Sequence, residues 1–138
     1  LRDRFGFKGM KVMQFAFDLN EESDYLPHNV GENCVYYTGT HDNQTLNGFV
    51  KSRSSRELEY IRNYVNSADV VDAMIRVAYM TSASLCMCQM QDFLDLDDDY
   101  RTNTPNTLGN WTWRMKKEWL TDELAEKISA ITKLYNRD

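Results

Sequence analysis

Three short apolar runs, at residues 10–17 (MKVMQFAF), 33–38 (NCVYYT) and 85–90 (LCMCQM), limit what this chain can fold into. Each is rich in strand formers or follows a helical stretch, and each has the length of a strand. Each also runs out into polar residues. Phe17 is followed by Asp18, Thr38 by Gly39-Thr40-His41-Asp42-Asn43, and Met90 by Gln91-Asp92. Helical patterns fill the long interval between the second and third runs. Ser54-Ser55-Arg56-Glu57 has the form of a capping box, and Leu58, Ile61 and Val65 then recur at helical spacing. A second helix is expected over residues 68–83. Val70, Met74, Val77 and Ala78 line one face of it, and Val71, Ile75 and Tyr79 line another, which implies burial on more than one side. Asp72 and Arg76, four apart, can pair on the remaining face. A last helix starts behind an N-cap at Thr121, with Asp122 and Glu123 in its first turn. Leu124, Ile128, Ile131 and Leu134 or Tyr135 form its apolar stripe.

The order strand, strand, helix, helix, strand, loop, helix is an α/β pattern. Parallel strands with polar clusters past their C-terminal ends follow the rule of (β/α) barrels, whose chemistry sits on the βα loops. Closing an eight-stranded barrel takes roughly 250 residues. Three strands cannot close one, so the expectation is an open sheet or a piece of a larger chain. The opening LRDRFGFKGMK reads as a helix tail, a stop at Gly6 and then a strand, as if the chain begins mid-structure. The segment 95–115 is about 20 residues without a helical or strand pattern, a length typical of functional loops. Trp111, Trp113 and Trp119, in it or just after it, argue against disorder.

Composition narrows the function classes. The net charge of −5 offers no basic patch for nucleic acid or an anionic membrane. No apolar run approaches the ~18 residues of a membrane span, and no signal peptide opens the chain. The three cysteines, 34, 86 and 88, all lie in strand-like runs. They read as buried reduced thiols of a cytoplasmic protein. Cys86 and Cys88 share a strand face, which suits packing as well as it suits a metal.

Two polar clusters carry the candidate chemistry. His41-Asp42-Asn43 has three readings. It can cap a following helix. It can ligate a metal together with His28. It can bind a sugar, whose hydroxyls are paired donors and acceptors that match carboxylate, imidazole and amide side chains. A carboxylate beside the reacting sugar also stabilises an oxocarbenium-like transition state. The second cluster is RTNTPNTLGNWTWR, residues 101–114. It is either a turn-rich loop pinned by Trp111 and Trp113, or a groove in which amides and aromatic faces hold sugars. Trp119 is expected in the core or in helix packing.

Taken together, MKVMQFAFD, YLPHNVGENCVYYTGTHDNQTLNGF and QDFLDLDDDYRTNTPNTLGNWTWR resemble the catalytic barrel of the 4-α-glucanotransferases. These are the amylomaltases or disproportionating enzymes, glycoside hydrolase family 77. The resemblance runs over about residues 1–114. It implies a (β/α)8 TIM-type barrel of which the chain, residues 1–138, holds the last three β/α units as an incomplete fragment. It implies transfer of α-1,4-glucan segments between maltooligosaccharides with retention, and no cofactor. The third carboxylate of the family lies in its THDN motif, here Thr40-His41-Asp42-Asn43. Asp42 is thereby assigned to transition-state stabilisation and His41 to a hydroxyl of the same sugar. Asn43, Asn110, Asn103, Asp92 and Trp111 follow as substrate contacts. Asn106, Thr102 and Gln89 depart from the family's usual residues. The nucleophile and the acid/base precede the first strand in that family, so the fragment alone is expected to be inactive.

Two other readings stand beside it: a glucan-binding module without catalysis, and a small metal-dependent hydrolase using His28, His41 and Asp42. Whichever holds, an isolated three-stranded piece exposes raw sheet edges, so self-association is expected.

Overall fold

A computed structural model describes residues 1–137. The strands are β1 (Gly9–Val12), β2 (Cys34–Tyr37) and β3 (Leu85–Met87). Helices α1 (Leu46–Ser52), α2 (Ser55–Val65) and α3 (Val70–Met80) lie between β2 and β3, and α4 (Met90–Phe93) and α5 (Asp122–Leu134) follow β3. The sheet order is β1-β2-β3 and both pairings are parallel, with Gly9 opposite Cys34 and Val35 opposite Leu85. The fold is therefore α/β with a parallel sheet, as the sequence pattern predicts.

One face of the sheet is covered by helices. Cys34 and Tyr36 are buried there, and the Tyr36 hydroxyl donates to the Tyr25 carbonyl (2.8 Å). The other face is open, with Met10, Leu85 and Met87 exposed along it. Helix α3 sits in the middle of the helical layer and touches α1, α2, α4 and α5. Val70, Met74, Ile75 and Ala78 are all buried, which is the two-sided burial expected from its two apolar strips. Ile61 from α2, Leu46 and Phe49 from α1, and Ile131 from α5 complete this core. Full burial of a side chain such as Met74 or Ile61 contributes about 1.5–3 kcal/mol.

Local chemistry sets the helix ends. The Ser54 hydroxyl accepts from the Glu57 amide (3.3 Å), and the Glu57 carboxylate accepts from the Ser54 amide (2.8 Å). This is the reciprocal capping box read from the sequence. Asn66, in the left-handed region at φ 51°, ends the helix. Thr121 caps α5 by accepting from the Leu124 amide (3.2 Å). Arg137 then donates to the carbonyls of Tyr79, Thr81 and Ala83, tying the end of α5 to the end of α3.

Several boundaries differ from the sequence reading. Only Gly9–Val12 of the first run is strand; Met13–Phe15 is a 3-10 turn closed by the Ala16 amide on the Met13 carbonyl (2.9 Å). Met13, Ala16 and Phe17 are all buried, whereas a strand would send Ala16 to the face opposite Met13 and Phe17. The third run stops at Met87, and Met90 begins α4. The N-cap reading of residues 41–43 implies a helix after β2 but sets no span for α1, whose pattern Gly48 interrupts. Cys86 and Cys88 are half-buried rather than buried, with sulfurs 3.9 Å apart on one face. No helix among the described residues is long and apolar enough to cross a membrane.

Candidate active site

The segment after β2 forms a tight turn. The Asn43 side-chain oxygen accepts from the amide (2.9 Å) and hydroxyl (2.7 Å) of Thr40, and the Asn43 amide donates to the Thr40 carbonyl (3.1 Å). His41 and Asp42 stand at the tip, each about half exposed, with His41 Nε2 3.3 Å from Asp42 Oδ2. A helix does follow, but its N-cap is Thr45, whose hydroxyl accepts from the Gly48 amide (3.1 Å). Asp42 and Asn43 are left for other work.

The base of this loop is held from several directions. Gln14 donates to the Gln44 carbonyl (2.7 Å), and Gln89 donates to the Thr40 carbonyl (3.1 Å). Asp98 accepts from the Gln44 side chain (2.6 Å) and the Thr45 amide (3.2 Å). Asp92 is 1% exposed. It accepts from the Thr38 hydroxyl (2.6 Å) and the Leu46 amide (2.8 Å). Burial pushes its carboxyl above the usual carboxylate range against the pull of these donors.

The second cluster folds over the first. Arg101 donates to the Asp42 carbonyl (2.9 Å), and the Asn103 amide donates to the Asp42 carboxylate. The Trp111 ring lies 5.0 Å from the His41 ring at 43°. Trp111 adopts φ 64°, a left-handed conformation that is rare for a bulky aromatic residue. Its amide donates to the Thr102 carbonyl (2.8 Å), which helps to hold it there. A cavity of about 420 Å³ opens beside this assembly, walled by Met10, Tyr37, His41, Asp42, Met87 and Gln89 among others. It lies at the C-terminal end of the parallel sheet.

Five of the residues singled out in the sequence thus gather at one place: His41, Asp42, Asn43, Asn103 and Trp111. Two do other work. Asn110 accepts from the Thr104 amide (2.8 Å) and donates to the carbonyls of Thr104 (2.9 Å) and Thr107 (3.0 Å), so its amide group is engaged in shaping its own loop. Asp92 lies beneath the loop, away from solvent. Arg101, Asp98, Gln14 and Gln89 were missed, and no spacing in the chain marks them. His28 pairs instead with the Tyr64 hydroxyl (2.8 Å). Among the described residues no three His, Cys, Asp or Glu side chains converge as a metal site requires, so the triad His28, His41 and Asp42 is not assembled.

Residues 1–121 match the family described as 4-alpha-glucanotransferase. The 4-alpha-glucanotransferase of Streptococcus pneumoniae (strain TIGR4) is 42% identical over 99% of this chain and 28% of its own length. That of Clostridium butyricum is 42% identical over 99% of this chain and 29% of its own. The chloroplastic/amyloplastic enzyme of Solanum tuberosum is 37% identical over 99% and 25%. Among solved structures, the amylomaltase from Streptococcus agalactiae in complex with acarbose superposes with a TM-score of 0.93 at 39% identity, over 99% of this chain and 28% of that one. The amylomaltase from Corynebacterium glutamicum, at 13% identity and TM-score 0.65, shares the fold. The chain spans little more than a quarter of the relatives it matches.

Proposed function

Because the chain belongs to the 4-alpha-glucanotransferase family, we propose that it supplies the last three β/α units of a (β/α)8 barrel that moves α-1,4-glucan segments between maltooligosaccharides with retention. The observation that carries this reading is the meeting of Asn103 and Trp111 with Asp42 and His41, of which Asp42 and His41 wall a cavity at the C-terminal end of parallel strands. Ligand chemistry in such barrels belongs at that end. In this reading Asp42 stabilises the oxocarbenium-like sugar at the cleavage point. His41 binds a hydroxyl of the same sugar, Trp111 offers an aromatic face, Asn43 and Asn103 orient the glucan, and Asn110 shapes the loop that presents Trp111.

Retaining transfer needs a nucleophile and an acid/base on either side of the bond. Asp42 is the one carboxylate among the residues lining the cavity, which supports placing the other two on a different part of the full-length protein. The 138-residue chain by itself is then inactive toward maltotriose. The test is Asp42→Ala in the full-length protein, with disproportionation of maltotriose followed by glucose release. A loss of about 10²–10³-fold or more, with the fold intact by circular dichroism, is expected. Turnover within tenfold of the parent would sink the assignment.

The same single carboxylate favours a second reading, a glucan-binding module without catalysis. It is distinguished by maltooligosaccharide binding that depends on Asp42 in a full-length protein that turns nothing over. The chain in isolation self-associates through β1 and β3, whose outer edges and open face are uncovered; a monodisperse monomer by light scattering contradicts this. Its three free thiols support a cytoplasmic location, to be checked by fractionation.

A further inference from the structure

We propose that Asp92 is the positioning residue that fixes where the Asp42 carboxylate stands, by joining both ends of the loop that carries it. The proposal rests on the reading of Asp42 given above. Thr38 is the last residue before this loop and Leu46 is the first residue of α1 after it. One oxygen of Asp92 accepts from the Thr38 hydroxyl (2.6 Å), and the other accepts from the Leu46 amide (2.8 Å). All three residues are 1% exposed or less. A single buried side chain therefore sets the separation and angle of the two loop stems, and the tip with His41 and Asp42 follows from the stems.

The rest of the grip follows the same stretch of chain. Asp98 holds Gln44 and Thr45 on the shoulder of the loop. Arg101 and Asn103 hold Asp42 at the tip. Read outward from Asp92, the segment 92–103 engages first the stems, then the shoulder, then the tip. The outer contacts are exposed or half-exposed and compete with water, whereas the Asp92 bonds are sealed from it. A buried carboxylate is costly to desolvate unless it is well bonded, so the native geometry holds only while both donors are in place. Displacing the stems moves the Asp42 carboxylate relative to the sugar, and a shift of about 1 Å in a reacting group can lower turnover about 10²-fold.

The experiment uses the full-length protein with three variants: Thr38→Val, Asp92→Ala and Asp92→Asn. Thr38→Val keeps shape but removes one donor; Asp92→Ala removes both acceptors. Both are expected to lower kcat for maltotriose disproportionation by about tenfold or more while KM stays within about threefold, because Asp42 acts mainly in the transition state. Asp92→Asn can accept from the Leu46 amide and donate to the Thr38 hydroxyl, which can reverse its role. It is expected to recover kcat to within about threefold of the parent. A merely structural role would not produce the kcat loss at constant KM together with that recovery. Amide hydrogen exchange over residues 39–45 supplies a readout that needs no turnover. Exchange there rises in Thr38→Val and stays near the parent in Asp92→Asn. If Asp92→Ala fails to fold, Thr38→Val decides. If the parent protein has no transferase activity, the functional reading fails by itself and the exchange measurement decides the tether. Parent-like kcat in a folded Thr38→Val, or parent-like exchange where no activity exists to measure, overturns the proposal.

Discussion

Replacing Gly48 by alanine tests how the loop that carries Asp42 is held. Gly48 is buried in the first turn of α1, and a Cβ added there would meet Asp98 Oδ1 at 2.0 Å and the carboxyl carbon at 2.3 Å. The carboxylate would have to leave, and it is bonded to the Gln44 side chain (2.6 Å) and the Thr45 amide (3.2 Å). Alanine in a helix is worth up to about 1 kcal/mol over glycine. Against that stand overpacking of about 1–3 kcal/mol and the loss of hydrogen bonds to a charged group, each worth about 1.5–3 kcal/mol. The net expectation is a destabilisation of about 3–9 kcal/mol, or a fall in Tm on the order of 9–27 °C for a domain of this size. The assay is a thermal melt of Gly48→Ala, Asp98→Ala and the double variant. With Asp98 shortened the clash disappears, so Gly48→Ala becomes neutral or stabilising by up to about 1 kcal/mol in that background. This reversal of sign is the signature of the contact. A Gly48→Ala variant that melts at or above the parent temperature refutes the reasoning outright.

Two further expectations rest on side-chain contacts. Asp72 of α3 meets Arg76 (2.9 Å) and Lys127 of α5 (3.0 Å). Partial burial alone would raise its carboxyl, but the hydrogen bonds from Lys127 and Arg76 hold it below the usual range. A depressed carboxylate contributes its stability above the unfolded value of about 3.9 and loses it as pH falls through the lower folded value. Asp72→Asn should therefore cost about 0.5–1 kcal/mol near neutral pH, screened by the half-exposed partners, and nothing in strong acid; equal urea midpoint gaps at both pH values would contradict this. Trp111→Ala removes the ring tilted against His41, yet Trp111 is 57% exposed. Stability should change by less than about 1 kcal/mol, while maltooligosaccharide affinity of the full-length protein falls by about fivefold, measured by calorimetry. Unchanged affinity would remove Trp111 from the glucan site.

The parts of the fold that were legible in the chain are those fixed by near neighbours. Ser54 and Glu57 sit three residues apart and satisfy each other, so their capping box could be read directly. Thr121 and the first turn of α5 were legible for the same reason, and so was the pairing of Asp72 with Arg76. Residues 10–17 were read as one strand because their apolar character is continuous. Where strand gives way to the turn at Met13 depends on what those side chains pack against. Helix α1 was hidden because its stability is not local. It carries a glycine, and its first turn is held by Asp92 and Asp98 from the far side of β3.

The candidate site divides along the same line. The sequence marked His41-Asp42-Asn43 and the segment 101–114 as two polar clusters, each suited to hydroxyl-rich ligands. It could not state that Asn103 reaches Asp42 across some sixty residues, or that Trp111 lies on His41. Asp92 shows the limit most clearly. By position it was one more carboxylate past a strand end, and the family resemblance implied a sugar contact; in the folded chain it is sealed under the loop and bonded at both oxygens. Caps and periodic faces depend on interactions that close within a few residues, so the sequence by itself determined them. Which carboxylate meets substrate and which meets backbone depends on the surfaces brought together when distant segments pack, and only the tertiary structure decided that.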